Sequence, residues 1–248
     1  MKSTKLTITE AADLLGVTAQ TLRRWDNEGV LKSHRKTVGG FRYYETSELE
    51  PFFEEAFLDV EKAALTWISG DGSWTPLQLF YCSTSNVFQL RLHTLEKTLA
   101  TKKGLEAIFP LITASVGEIG NNAFDHNLGN WPDMPGLFFG FDKKRSKIVL
   151  ADHGQGILRT ISRVRPSLQT HEEALRVAFT EVLTGRAPEH RGNGLKFVRK
   201  IIEMNPFLLT FQTGDARLIL KYGDKDLSIN KTETAIQGCF AILSFNNV

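Results

Sequence analysis

One segment near the middle of the chain constrains the fold more than any other. The segment reads PLITASVGEIGNNAFDHN. Its apolar residues recur at helical spacing and predict one face of a helix that packs in a core: Ile112, Val116, Ile119 and Ala123. The opposite edge carries Glu118, Asn122 and His126, each one turn from the next. A solvated surface shows the same polar spacing. The segment alone therefore leaves two interpretations open, an ordinary outer face and the wall of a site.

The first fifty residues predict two short helices separated by a tight turn. Thr7 and Glu10 have the spacing of a capping box at the start of the first helix. Thr18 is expected to cap the second helix, which buries Leu22 and ends at Gly29. This arrangement is typical of a helix-turn-helix.

A basic stretch, HRKTVGGFRYY, follows the second helix. Two extended runs around Gly39 and Gly40 predict a hairpin, because a glycine pair supplies the positive φ that a two-residue turn requires. From position 23 to position 44 the only acidic residues are Asp26 and Glu28, whereas the basic ones are Arg23, Arg24, Lys32, Arg35, Lys36 and Arg42. This asymmetry favours contact with phosphates, and a basic face on a protein-binding domain is the alternative.

Two helices and a basic hairpin, with TLRRWDNEGVL and GGFRYY as the most similar stretches, resemble the winged DNA-binding head of the MerR and excisionase-like families. The resemblance covers about residues 5 to 50 and implies DNA binding by a recognition helix and a wing. The residues implied in DNA contact are Gln20, Thr21, Arg23, Arg24, Arg35, Lys36, Arg42 and Tyr43. A further helix is implied at TSELE, which Pro51 is expected to interrupt. The sequence shows no long heptad helix after it, which argues against the coiled-coil dimer common among MerR regulators. A homodimer of another kind is left open.

Two glycine-containing motifs occur farther along the chain. After a predicted strand pair in FFGFDKKRSKIVL, the sequence ADHGQGI places Gly154 and Gly156 just beyond Asp152. Later, Gly192, Asn193 and Gly194 precede a strongly periodic helix. Glycines before a helix expose backbone N–H groups, which is a common way to hold phosphate, although each motif alone is also typical of a simple turn.

In this order the three motifs, E-x-x-x-N-x-x-x-H, DxGxG and GxGL, resemble the GHKL or Bergerat ATP-binding domain over about residues 104 to 248. The resemblance implies an α+β chain: a small winged helix-turn-helix, then an α/β sandwich with a mixed sheet and helices on one face. The runs FLLTFQTG, ARLILKYG and GCFAILSF are expected to supply further strands. The predicted boundaries are 1–50 for the head, 51–103 for a connector with leading helices, and 104–248 for the ATP-binding domain.

The resemblance also implies roles for individual residues in binding ATP and Mg²⁺. Asn122 would offer its side-chain oxygen to Mg²⁺, Asp152 would accept from the adenine amino group, and Glu118 would be the general base. The other implied nucleotide contacts are His126, Gly154, Gly156, Arg186, Arg191, Gly192, Asn193 and Gly194. His126 is expected either to reach the phosphates through the metal or to hydrogen-bond within the fold.

Two functions of different classes follow from these resemblances. The first is a DNA-binding regulator whose GHKL domain binds or hydrolyses Mg-ATP. The second is a serine or threonine kinase of the anti-sigma type that acts on a small partner protein. The spacing of Glu118, Asn122 and His126 resembles that of such kinases. His93 is not followed by the acidic residue and proline of a histidine-kinase phosphoacceptor, so a two-component kinase is not expected.

Composition supports a globular cytoplasmic protein. The chain has 248 residues, 42% hydrophobic and 23% charged, which is enough to bury one or two cores. No apolar run approaches the roughly 20 residues of a membrane span, and the first residues lack the apolar stretch of a signal peptide. Cys82 and Cys239 have no metal-binding spacing, so buried free thiols are expected.

Overall fold

The computed structural model describes residues 5–15, 18–35, 40–49, 60–69, 80–125, 136–181 and 194–245, and the side chains of Asp13 and Leu14 are outside this description. The chain divides into two compact units. Residues 5–49 belong to the first, and residues 60–69 and 80–245 belong to the second. Among the described helices, none combines the length and the apolar character that crossing a bilayer requires.

The first unit combines two helices with a small antiparallel sheet. Its elements are β1 (Lys5–Thr7), α1 (Ile8–Leu15), α2 (Ala19–Glu28), β2 (His34–Arg35) and β3 (Arg42–Glu45). The sheet order is β1-β3-β2, with His34 opposite Tyr43 and Arg35 opposite Arg42. Residues 46–49 are helical, as expected after the hairpin. Gly39 and Pro51, on which the turn and the helix interruption were predicted, lie outside the described residues.

Local hydrogen bonds explain where these two helices begin and end. The Glu10 carboxylate accepts from the backbone N–H of Thr7 at 2.7 Å, and the Thr7 hydroxyl accepts from the Glu10 N–H at 3.3 Å. The Thr18 hydroxyl accepts from the Thr21 N–H, and Gly29 ends α2 with a φ of 72°. The predicted caps are therefore confirmed. The small core beneath them contains Ala11, Ala12, Leu15, Leu22, Leu31, Tyr44 and Leu49.

The described part of the second unit contains six helices and a five-stranded sheet. The helices are α3 (Val60–Ser69), α4 (Ser85–Ala100), α5 (Phe109–Asp125), α6 (Gly156–Ile161), α7 (His171–Thr180) and α8 (Gly194–Met204). The strands are β4 (Tyr81–Cys82), β5 (Leu137–Asp142), β6 (Lys147–Asp152), β7 (Phe207–Lys221) and β8 (Ser228–Phe245). Their order in the sheet is β4-β5-β6-β8-β7.

The α+β class, with a helix-turn-helix region followed by helices packed on a sheet, is confirmed. The sheet was expected to be mixed, and this expectation is corrected, because every described strand pair in it is antiparallel. The runs FLLTFQTG and ARLILKYG, predicted as separate strands, are one strand, β7, with a register irregularity around Gly214. A bulge lets the strand absorb the glycine and continue, so a glycine within the run does not end it.

Helices cover both faces of the sheet, whereas one covered face was expected. Alternate residues of β5 point to opposite sides: Leu137 and Phe139 join the large core formed with α4, α5, α7 and α8. On the other side, α3 packs on the sheet, with Trp67 near Phe138 at a ring-centroid distance of 6.2 Å. This correction has a simple cause, since the strands are apolar on both faces and each face must be buried.

The end of α3 is fastened to the loop after β6. The imidazole Nε2 of His153 donates to the Trp67 carbonyl oxygen at 2.9 Å, and the two rings meet edge to face with centroids 4.6 Å apart. Both side chains are buried. Burial lowers the pKa of His153, although the bond to the Trp67 backbone opposes this shift. His153, the residue after Asp152, is therefore neutral, and its hydrogen bond attaches the end of α3 to the loop after β6.

The helix α5 is held close to α4 by a glycine. A Cβ atom added at Gly120 would collide with the ring of Phe88, and Phe88 is fully buried. The four predicted apolar residues of α5, Ile112, Val116, Ile119 and Ala123, are all buried. The apolar face predicted from the sequence is therefore confirmed, and Gly120 serves close packing.

We expect Trp67→Ala to lower the free energy of unfolding of the second unit by about 3–5 kcal/mol, because a large buried ring leaves a cavity and His153 loses its ring contact. Leu90→Ala is the control, since Leu90 is 71% exposed and its loss should change stability by less than about 0.5 kcal/mol. Urea unfolding followed by circular dichroism measures both. Equal effects of the two substitutions would contradict the packing of α3 on the sheet.

Candidate functional site

Asp152 is a buried carboxylate at the end of the central strand β6. It lies opposite Cys239 in β8 and Leu137 in β5. Its Oδ1 accepts from the Gly154 N–H at 2.8 Å, and the Cys239 N–H also donates to this carboxylate. Burial raises the pKa of Asp152 to about 6, and the two backbone bonds oppose that rise. A buried carboxylate with a raised pKa is a frequent feature of functional sites.

Gly238 and Thr213 fix the backbone around Asp152. Gly238 has a φ of 81°, and a Cβ atom there would collide with the Asp152 carbonyl oxygen, so only glycine fits. The Thr213 hydroxyl donates to the Gly238 carbonyl at 3.0 Å and accepts from the Ile157 N–H at 3.1 Å. One hydroxyl thus joins β7, β8 and the start of α6 beside the carboxylate.

The polar edge of α5 faces the same region. Asn122 is half-buried and lines a cavity that Asp152 and Gly156 also line. Glu118, one turn earlier and also half-buried, lies against the first residue of α8, because a Cβ atom at Gly194 would collide with the Glu118 carboxylate. The described residues of the three sequence motifs therefore lie near one another: Asn122, Asp152 and Gly156 line the cavity, and Glu118 contacts Gly194 at the start of α8.

The cavity itself is narrow and mostly apolar. Its volume is about 30 Å³, and its polar lining includes Asn122 and Asp152. Apolar side chains cover most of the remaining wall, including Ile119, Ala123, Leu150, Ile157, Leu195 and Phe211. An apolar slot with one buried acceptor suits a planar group that carries an N–H donor.

Several predicted contacts lie outside the described residues. These are His126, Arg186, Arg191, Gly192 and Asn193. For the remaining predicted nucleotide residues, the structure gathers Asn122, Asp152 and Gly156 at the cavity, with Gly154 bonded to Asp152. Their assignment to a nucleotide remains a prediction.

Three residues were not assigned to this site from the sequence: Thr213, Gly238 and Cys239. Cys82 and Cys239 are both free thiols, as expected, but Cys239 is half-buried and lines the cavity. Burial and the charge of Asp152 raise the pKa of Cys239, against a hydrogen bond with Thr213 that lowers it. For Thr213, the available sequence signal was a polar residue within the apolar run FLLTFQTG. In the structure Thr213 is fully buried.

The first unit presents a polar edge of α2. Gln20, Arg23 and Arg24 are exposed along it, whereas Thr21 is half-buried and its hydroxyl is 2.9 Å from that of Thr18. Arg24 lies 4.0 Å from Glu28, both well exposed, so this ion pair contributes little to stability. These exposed side chains are the ones available to a partner.

Arg35 and Arg42 are engaged within the unit. The Asp26 carboxylate accepts from Arg42 Nε at 2.8 Å, from Arg35 Nη2 at 3.3 Å and from the Ser33 N–H at 2.9 Å. Burial would raise the pKa of Asp26, but these hydrogen bonds together hold it well below its usual range. Arg42 therefore has a structural role, in addition to the DNA contact predicted for it.

The other two predicted contacts of the hairpin are Tyr43 and Lys36. The Tyr43 ring stacks on His34 with centroids 5.3 Å apart, and the Lys5 ammonium lies 5.0 Å from the centroid of the same ring. Lys36 lies outside the described residues.

Comparison with known sequences finds a family match within the first unit. Residues 7–44 match the family model described as MerR family regulatory protein. Over 58 residues, or 23% of the chain, the sequence is 40% identical to the type II methyltransferase M.Eco47II of Escherichia coli. That match spans only 14% of the methyltransferase, so it carries nothing about the activity of the whole enzyme.

Comparison with solved structures finds low-scoring similarities to ATPase domains. The 43K ATPase domain of Thermus thermophilus gyrase B, in complex with an aminocoumarin, is 15% identical with a TM-score of 0.34, over 60% of this chain and 40% of that one. The ATPase region of Saccharomyces cerevisiae topoisomerase II is 14% identical with a TM-score of 0.32, over 54% and 37%. The chain spans less than half of either, and scores this low carry no functional argument.

The raised pKa of Asp152 predicts a pH-dependent stability. Its pKa is about 6 when folded and 3.8 in the unfolded reference, so the folded state binds more protons between these values and stability falls as pH rises through them. We expect Asp152→Asn to unfold less readily than the parent above pH 6, by up to about 3 kcal/mol, and this advantage to disappear toward pH 4.

Urea unfolding at several pH values measures the difference between the two proteins. Asp142→Asn is the matched control. Asp142 lies at the end of β5 away from Leu137, which is the β5 residue opposite Asp152, and it forms an ion pair with exposed Arg145. A difference between Asp152→Asn and the parent that stays constant from pH 4 to pH 7 would contradict the raised pKa.

Proposed function

We propose that the chain is an ATP-binding, DNA-binding regulator, in which the second unit binds Mg-ATP and the first unit binds DNA. The observation that carries the nucleotide half is the buried Asp152 carboxylate in an apolar slot that Asn122 also lines. The MerR-family match over residues 7–44 supports the DNA half. The order of the three motifs along the chain is a further support.

The residues of the slot fit an adenine ring. Ionised Asp152 can accept a hydrogen bond from the exocyclic amino group, while Ile119 and Leu195 supply apolar walls for the ring faces. A bound donor would also offset part of the cost of burying this charge. Because the slot is narrow, its walls must move apart before an adenine ring can enter.

The phosphates would lie between α5 and the start of α8. Asn122 would offer its side-chain oxygen to Mg²⁺, a cation that prefers hard oxygen ligands. ATP, when bound, supplies the phosphoanhydride bond. The Glu118 carboxylate, held against Gly194, would orient and deprotonate the attacking hydroxyl group or water.

DNA binding is assigned to the exposed edge of α2. Gln20 would face base edges, while Arg23 and Arg24 would contact phosphates or bases beside it. Arg35 and Arg42 bond to Asp26, and this arrangement fixes the hairpin that would lie on the DNA backbone.

We expect Mg-ATP to bind the parent protein, and both Asp152→Asn and Asn122→Ala to weaken that binding at least tenfold, because each removes one proposed ligand contact. Glu118→Gln should still bind ATP but lose roughly 10²- to 10⁴-fold in turnover. Calorimetry measures affinity, and release or transfer of radiolabelled phosphate measures turnover.

Asp142→Asn serves again as the control and should leave ATP affinity unchanged. Unchanged affinity in both site variants would overturn the nucleotide assignment. Transfer of label to a small partner protein would instead favour the kinase of the anti-sigma type, and binding without any turnover would make the second unit a nucleotide sensor.

For the first unit we expect Arg23→Gln with Arg24→Gln to weaken binding to genomic duplex DNA. If each guanidinium contacts one phosphate, the slope of log affinity against log salt should fall by about 2. Lys143→Gln with Lys144→Gln is the control, because it removes the same charge from an exposed turn of the second unit. Fluorescence anisotropy across a salt series measures both pairs.

Arg42→Gln should act differently from the α2 pair. It removes a partner from the largely buried Asp26, so the first unit should lose about 1–3 kcal/mol of stability as well as DNA affinity. If no duplex binds even at low salt, the first unit is a protein-docking module.

A further inference from the structure

Phe41 has the most exposed large apolar side chain in the described part of the chain. Its ring is 99% exposed, whereas Val30, the other such residue described in the first unit, is 52% exposed. A phenylalanine stabilises a fold mainly through burial, so a ring in this position adds little to the core. Single exposed apolar residues are common on protein surfaces, and the surroundings of the ring therefore decide what it indicates.

The strand that begins immediately after Phe41 is anchored in the first unit. The Tyr43 ring stacks on His34 with centroids 5.3 Å apart, and Tyr44 is fully buried in the small core. A side chain next to a strand held in this way has a defined position, so a partner that meets the ring does not have to order the backbone first. Phe41 is therefore suited to act as a preorganised contact.

The anchored strand also places Phe41 near the exposed edge of α2. Arg42, the next residue, donates from its Nε to the Asp26 carboxylate at 2.8 Å, and Asp26 lies about one turn of α2 after Arg23. Arg23 is exposed on the edge to which DNA binding is assigned. The ring thus stands close to a surface whose positive charge suits DNA phosphates.

We propose that Phe41 inserts its ring into the minor groove beside the major-groove contact of α2, as a wedge at a pyrimidine–purine step. A phenyl ring has no hydrogen-bonding group for base edges, and apolar side chains in the minor groove act by separating stacked bases. Pyrimidine–purine steps unstack readily, so the wedge bends the duplex there and selects sequence through deformability. The inference rests on the proposed DNA binding and concerns how the first unit distinguishes one duplex from another.

The test uses the full chain and the duplex that it binds best in a selection from random-sequence DNA. Fluorophores at the two ends report bending, and 2-aminopurine in place of adenine at each TA or CA step brightens when the step unstacks. We expect the parent to bend the duplex and to brighten one step. Phe41→Ala should abolish both signals and weaken binding about tenfold without changing the salt slope, because the ring contacts no phosphate.

Phe41→Leu and Val30→Ala are the controls. Leucine also serves as an apolar wedge, so Phe41→Leu should keep most of the bend. Val30→Ala removes the other exposed apolar side chain and should bind and bend the duplex as the parent does. Thermal unfolding checks that every variant is folded, which is expected because both side chains lie on the surface.

The outcomes separate the wedge from DNA binding itself. A duplex that Phe41→Ala bends as the parent does, or a parent complex in which no step brightens, would overturn the wedge and leave DNA binding in place. Altered sedimentation of DNA-free Phe41→Ala would assign the ring to a protein contact and also overturn the wedge. If the parent binds no duplex, the DNA half of the proposed function fails and the wedge fails with it. Arg23→Gln with Arg24→Gln distinguishes these cases, because it weakens DNA binding whether or not the ring enters the groove.

Discussion

The structure of the second unit is organised around one unfavourable interaction, the burial of the Asp152 carboxylate. In the described part of the chain its hydrogen-bond donors are the backbone N–H groups of Gly154 and Cys239, and burial raises its pKa to about 6. The surrounding chain is shaped to present those donors. Gly238 lets β8 approach closely, and the hydroxyl of Thr213 joins β8 to the first turn of α6. A strand end built in this way is more rigid than a loop, and rigidity lets a single acceptor define what enters the slot.

The opposite face of the sheet contributes to the same strand end. His153 follows Asp152 and donates to the Trp67 carbonyl, so the last turn of α3 is attached where the carboxylate leaves β6. Both faces of β6 are therefore in contact with packed elements at one point, with the slot on one side and α3 on the other. Displacement of Asp152 would require movement of α3, Gly238 and α6 together. Such a site changes between discrete arrangements more readily than it deforms gradually.

Much of this organisation could be predicted from the sequence, and the physical reason is that the informative features were local. The capping box at Thr7 and the apolar stripe of α5 depend on residues within a turn or two of each other. The lateral neighbours of Asp152 could not be predicted, because strand alternation reports burial but not which residue of β8 pairs beside it. The position of α3 was missed for a similar reason, since its own pattern predicts a helix without indicating which face of the sheet it covers.

Two aspartates of this chain show how the same side chain acquires opposite roles. Asp26 accepts from Arg42, Arg35 and Ser33, and the two guanidinium groups offset its charge, so its pKa lies well below the usual range. In the described part of the chain, the hydrogen-bond donors to Asp152 are the backbone N–H groups of Gly154 and Cys239, and its pKa is raised. The first carboxylate has all its compensation within the fold and therefore stabilises the hairpin. For the second, the described residues supply two backbone donors, and the proposed adenine amino group would be a third. This difference in compensation, more than burial itself, supports the proposed binding role of Asp152 and the structural role of Asp26.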